Sequence, residues 1–278
     1  MMLIPSYGVL SGTDQARQGD EDVKVIVADK KTTMADLGIQ TTEWGWIKKL
    51  IDATLEKCPE GYKARVTLTQ NFSNHPDHYG VNYYARSIVP LNPQGQPDGE
   101  ETIYGPPGGG SLAIVPWKNG VKDGVEKVYD GSNLRAETPW KDGKIHGVKR
   151  TCFANGKLQS ETTYEDGVAN GPTRSYGPDG KVVREGTMRA GKRHGTLTDY
   201  WPGSDKPKRT AEYDMGRVVG LVREFYASGQ LKREVPFRDN TMHGIEKEYD
   251  ITGKVIRTRY WVDGNAVSQE EYEKSAGK

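Results

Sequence analysis

The chain has 278 residues and a formal net charge of +1, with 34 Gly and 15 Pro but only 34% hydrophobic residues. Its 15 Tyr, 6 Trp and 4 Phe argue against disorder, because disordered chains are poor in aromatics. Together these figures exclude a helical bundle, disfavour a doubly wound α/β enzyme, and leave short strands joined by many tight turns.

The opening Met1-Met-Leu-Ile-Pro-Ser-Tyr-Gly8 has neither a basic leader nor a long apolar core, so it does not read as a signal peptide. No 18-residue apolar run occurs, so the expected localisation is cytoplasmic. Lys24–Asp29 has a short strand pattern. Thr41 or Thr42 can cap a helix over 43–58, ended by Pro59, with Trp44, Ile47, Leu50, Ile51, Leu55 and Cys58 on one stripe. Two strand-like runs follow at 64–72 and 81–89, and then a Pro/Gly stretch over 90–116. Residues 1–98 thus read as a cap whose helix covers the open end of a sheet.

From residue 99 the chain repeats itself. Glycines recur at 99, 124, 147, 171, 195, 220 and 244, about 24 residues apart. Five residues after each stands a ring (Tyr104, Tyr129, Tyr176, Tyr200, Phe225 and Tyr249), the exception being Cys152. Seven residues before the next glycine stands another large side chain: Trp117, Trp140, Tyr164, Met188, Tyr213 and Phe237. Turn glycines 131, 156, 180, 203, 229 and 253 split each unit, and a second turn such as Asp142-Gly143 or Ala190-Gly191 closes it. Two short strands divided by Asn-Gly or Asp-Gly chemistry make a β-hairpin, and one hairpin alone is marginal. The expected fold is therefore all-β. It is an elongated antiparallel meander of seven stacked hairpin repeats over 99–267, with a helix-containing cap at 1–98 and a polar tail at 268–278.

The Gly-x4-aromatic opening, the central turn glycine followed by Leu or Val, and closes such as Gly143-Lys-Ile-His-Gly147 resemble the MORN repeat in its short bacterial variant form. The resemblance implies a sheet of hairpins used for binding or assembly rather than catalysis, some bacterial members being described as antitoxins.

Chemistry-bearing residues give little else. His146, His194 and His243 share one repeat position, two units apart, or roughly 19 Å at the usual strand spacing, too far to share a metal ion. His75, Asp77 and His78 read as a polar loop, with Cys58 the nearest thiol. Neither a nucleophile elbow nor a phosphate-binding loop occurs, and the Glu137, Glu161, Glu185 and Glu234 column is what stacked repeats produce. No catalytic site, metal or cofactor is expected. Cys58 and Cys152 make no disulfide framework.

The suggestive feature is a second ladder three residues after the repeat glycine: Lys127, Arg150, Arg174, Thr198, Arg223 and Lys247. Strand alternation puts it on the same face as Tyr129, Tyr176, Tyr200, Phe225 and Tyr249. These ten cations and rings are the expected partner-binding residues of a non-enzymatic scaffold for a protein partner. Two blander roles compete: cation–π contact with the neighbouring ring and pairing with the glutamate column. The alternatives are peripheral association with anionic lipid headgroups and a structural subunit that self-associates. A net of +4 over residues 124–278 is thin for nucleic acid.

Overall fold

A computed structural model describes residues 14–18, 21–33, 35–36, 44–72, 81–105 and 111–276. The chain falls into two compact units, 1–144 and 145–278. Among the described residues, each strand pairing with a defined register is antiparallel.

The first unit contains β1 (Asp14–Gln18), β2 (Glu21–Ala28), α1 (Trp44–Glu56), β3 (Lys63–Phe72), β4 (Val81–Leu91), β5 (Gly99–Tyr104), β6 (Ser111–Lys118), β7 (Val121–Lys122), β8 (Gly124–Asp130) and β9 (Asn133–Lys141). A two-residue β10 (Lys144–Ile145) follows. The helix buries Ile47, Ile51 and Leu55, spaced four apart on one side. They pack on Ile26 and Ala28 of β2, Ala64, Val66 and Leu68 of β3, and Ile88 of β4, which alternate along their strands and so share a face. Each buried aliphatic contributes about 1.5–3 kcal/mol, making this cluster the main core of the unit. The helix therefore lies on the face of the sheet and does not close its end, because β1 extends the sheet beyond β2 through Asp14↔Val25 to Gln18↔Glu21. An apolar strand face needs cover over its whole area, and a 13-residue amphipathic helix supplies that better than it could cap a row of backbone groups. The expected caps Thr41 and Thr42 lie outside the described residues. β4 pairs with β5 through Ser87↔Ile103 and Ile88↔Thr102, so the cap strands and the first repeat hairpin share a sheet.

The second unit contains β11 (Gly147–Cys152), β12 (Leu158–Glu165), β13 (Val168–Tyr176), β14 (Val182–Arg189), β15 (Lys192–Tyr200), β16 (Pro207–Asp214), β17 (Arg217–Phe225), β18 (Leu231–Arg238), β19 (Thr241–Met242), β20 (Gly244–Tyr249), β21 (Val255–Val262), β22 (Asn265–Val267) and α2 (Gln269–Ala276). It is a meander in which each strand pairs with the next, β19 being a short break between β18 and β20. The segment expected as a polar tail forms α2, whose Tyr272 ring lies 5.5 Å from that of Tyr260.

Two turn types alternate. The connection between hairpins has both central residues at positive φ, as at Asp142-Gly143 (49° and 76°) and Asp263-Gly264 (48° and 85°). That is the type I′ geometry whose twist matches paired strands. Ala190 and Met215 occupy the same left-handed position at 48° and 47°, without a side chain that favours it. The turn inside each hairpin closes differently: the N–H of Gly180 donates to Gly177, and that of Gly177 to Lys181. A strand bulge follows, Tyr176 facing Val182.

The repeat glycine has φ between 64° and 126° in all seven units. Gly244 shows why, at 126°: a Cβ there would sit 2.6 Å from Cγ of Pro236 on β18. Pro90 and Pro116 fill the same space beside Gly99 and Gly124. The glycine admits a bulky neighbour from the preceding strand, and this accounts for proline within these strands.

Candidate interaction surface

On one face of the second unit the expected ladder is present. Cross-strand register sets Glu161 opposite Arg150 and Arg174, and Glu185 opposite Arg174 and Thr198. The Arg150 guanidinium lies 3.0 Å from Glu161, and that of Arg174 lies 3.2 Å from Glu185. Each half-buried tyrosine then donates its hydroxyl to the glutamate of the preceding unit: Tyr176 to Glu161 at 2.7 Å, Tyr200 to Glu185 at 2.5 Å, Tyr249 to Glu234 at 2.6 Å. The unit with Phe225 instead of Tyr follows a unit with Thr210 instead of Glu, but Cys152 follows Glu137 and Tyr129 follows Ile114, so ring and acceptor do not change together in every unit.

The electrostatics follow. The Tyr176 hydroxyl, with help from Arg150, holds Glu161 below the ordinary carboxylate range; the Tyr200 hydroxyl does the same for Glu185. In return Glu185 pushes the Tyr200 phenol up to about 12, and burial with Glu234 brings Tyr249 to about 12. These tyrosines are neutral donors fixed to the sheet, with their rings as the part left to offer. The pairing expected as a competing role thus occupies Arg150 and Arg174, whose side chains stay 44% and 50% exposed. Arg223 and Lys247 have no ion pair among the described residues. In the first unit Lys127 stands opposite Glu137, and Tyr129 opposite Leu134.

The opposite face carries a buried row that composition alone does not reveal: Leu197, Ala211, Val222 and Val235, each at most 7% exposed, followed by Glu246 at 1%. Leu197 occupies the space over Gly186, where an added Cβ would lie 2.7 Å from its Cδ1. Glu246 accepts from Arg233 (2.9 Å), Arg259 (3.2 Å) and the indole N–H of Trp261 (2.7 Å). Burial raises its pKa, but the Arg233 and Trp261 hydrogen bonds outweigh burial and the net shift is downward. The same Trp–Glu bond recurs between Trp117 and Glu101 (3.0 Å) and between Trp140 and Glu126 (2.7 Å). Glu occurs two places after the repeat glycine only in the three units with Trp sixteen to eighteen places after that glycine. That co-occurrence is legible in the sequence, although the sequence reading passed over it.

One of the repeat histidines, His243, braces a turn. The position before the repeat glycine accepts the N–H of the first residue of the next type I′ turn. Asp98 receives it from Asn119, Asp123 from Asp142, Asn170 from Ala190, and His243 Nδ1 from Asp263 at 3.3 Å. His146 and His194 present Nδ1 towards Asp166 and Asp214 at 3.7 and 3.5 Å. Val219 breaks the pattern. There Asn240 replaces the turn glycine and its side chain bonds back to the Val218 N–H at 2.8 Å. A third row stitches the other turns: the Lys157, Lys181 and Lys206 ammonium groups each donate to a carbonyl in the next unit's turn, at Pro178, Gly203 and Ser228.

His75, Asp77 and His78 lie outside the described residues. Burial raises the Cys58 thiol, which therefore lacks thiolate character. Among the described residues no group of three or more His, Cys, Asp or Glu is placed to hold a metal ion. None of their helices is long and apolar enough to cross a membrane.

No curated protein matches the chain. The family model for the MORN repeat variant matches residues 145–166 and 218–239. The matched segments lie three units apart, and each covers one hairpin with the strands around Gly147 or Gly220. At these two places the chain is therefore similar to MORN repeat variants, whose repeats serve interaction with proteins or membranes.

Proposed function

We propose that the protein is a non-enzymatic interaction scaffold that takes a protein partner on the face of its second unit bearing Tyr176, Tyr200, Phe225 and Tyr249 with Arg150, Arg174, Arg223 and Lys247. The observation that carries this reading is the way the tyrosines are held. The hydroxyls of Tyr176, Tyr200 and Tyr249 are anchored to glutamates, so these rings lose little further freedom on binding, and rigid aromatics beside exposed guanidinium groups suit recognition of a protein surface. Arg223 and Lys247 stand opposite Glu234 without an ion pair among the described residues, which leaves both cations to meet an acidic group on the partner.

Affinity capture with quantitative mass spectrometry tests this. A protein retained by the wild-type chain is expected to be lost with Arg174→Glu plus Arg223→Glu. Unchanged retention removes the face from consideration. Flotation on phosphatidylserine vesicles with the same pair of variants separates a lipid ligand from a protein one.

A further inference from the structure

The second unit carries a charge row distinct from the ladder just described. Following cross-strand register, Arg184 faces Asp199, Asp199 faces Arg209, Arg209 faces Glu224, Glu224 faces Arg233, Arg233 faces Glu248, and Glu248 faces Arg257. Seven consecutive strands alternate positive and negative at one level of the sheet. Contacts follow the row: Arg184 lies 2.5 Å from Asp199, Arg233 lies 3.7 Å from Glu224, and Arg257 lies 3.6 Å from Glu248. Every internal arginine from Arg209 on stands between two acids, one on each neighbouring strand.

Arg257 ends the row, and it has an acid on one side only. Among the described residues, β22 covers β21 at Tyr260, Trp261 and Val262 alone. Val255–Arg259 therefore have a strand on the β20 side and, among the described residues, no strand on the other, α2 packing on β21 at its Tyr260 end. Val255 and Ile256 are 44% and 61% exposed, and the Arg257 side chain 54%. An open edge with exposed β-branched residues is a template for strand addition.

We propose that this outer edge of β21 docks an extended acidic segment of a partner protein, which adds as an antiparallel strand and sets a carboxylate opposite Arg257. The chain's own covering strands define the chemistry, since each strand that follows Arg184, Arg209 or Arg233 brings Asp199, Glu224 or Glu248 to that place. A second copy of β21 fits badly, because pairing two such edges about Arg257 sets arginine against arginine. This edge is separate from the tyrosine face, and neither Arg174 nor Arg223 belongs to it.

The test uses the full chain and a peptide copy of Val222–Tyr226, which carries Glu224 and matches the five positions Val255–Arg259, against the same peptide with Glu224→Lys. The readout is amide exchange at Val255–Arg259 with peptide at millimolar concentration. The Glu224 peptide is expected to slow exchange there and to bind about tenfold more tightly than the lysine peptide, the scale of exchanging an opposed for a like cross-strand pair. Arg257→Glu is expected to reverse the preference while leaving exchange elsewhere unchanged. Failure of both peptides to slow exchange, or equal slowing by the two, overturns the proposal. So does slowing that grows with protein concentration in the absence of peptide, which identifies a second copy as the occupant.

Discussion

Glu246→Ala is expected to be among the most costly surface-to-core changes in the second unit. The carboxylate is 1% exposed and receives three donors, from Arg233, Arg259 and Trp261. Arg259 is 40% exposed, so water replaces much of its share and it adds little. Arg233 is 26% exposed, retains Glu224 at 3.7 Å, and loses one charged hydrogen bond of about 1.5–3 kcal/mol. The Trp261 N–H is left without an acceptor, at about 1–3 kcal/mol. The expected loss is about 2.5–6 kcal/mol for alanine. Glu246→Gln keeps an acceptor for Trp261 and loses the charge, so it is expected to cost about 1–2 kcal/mol. Urea denaturation followed by Trp fluorescence measures both, and amide exchange in β20 and β21 shows whether the loss is local. A cost below about 1 kcal/mol for alanine, or equal costs for the two variants, refutes the reasoning, because the first denies the burial and the second the Trp–Glu bond.

Gly244→Ala is expected to destabilise by about 2–4 kcal/mol through positive φ plus the Pro236 clash, whereas Gly253→Ala, with open space around its Cβ, suffers the backbone strain alone; thermal melts of both separate the two effects. Ala190→Asn and Met215→Asn are expected to stabilise by about 0.5–1 kcal/mol each, since Asn tolerates the left-handed position they occupy; a lower melting temperature for either counts against the type I′ assignment. Glu161, Glu185 and Glu246 titrate below their ordinary value of 4.5 in the folded state, so their contribution is complete above that value and is lost as pH falls through the folded pKa. Glu161→Gln plus Glu185→Gln is expected to flatten the fall in stability below pH 4.5, and an unchanged slope in acid titrations followed by circular dichroism contradicts this. Tyr200 and Tyr249 are expected to ionise near 12 in ultraviolet titration, and Glu185→Gln is expected to bring Tyr200 back towards 10.

Much of the repeat is legible along the chain because its determinants are local. The glycine at 99, 124, 147, 171, 195, 220 and 244, the Asp-Gly and Asn-Gly turns, and the alternation between them depend on backbone φ and on neighbours a few residues away. The helix near 43–58 is legible for the same reason, and is observed at Trp44–Glu56. What α1 covers was not legible, since its stripe records only that it needs an apolar partner. The contacts of Ile47 and Ile51 with Val66 and Ile88 had to be made before the sheet face, and not the sheet end, became the answer.

The interaction face divides in the same way. Strand periodicity placed rings and cations on one side of the sheet. It could not say that Tyr176, Tyr200 and Tyr249 give their hydroxyls to glutamates one unit back, because that depends on the stagger between strands about 15 residues apart. Nor could composition separate the buried Glu246 from its exposed neighbours, although the joint appearance of Glu and Trp in three units was there to be read. The alternating row that ends on Arg257 lies deepest of all. Each of its charges looks like an ordinary surface residue in sequence, and the row exists only once six strand pairings set the charges side by side. Local chemistry determined the hairpins of this protein, and the register between hairpins, fixed by bulges and packing, decided which side chains meet.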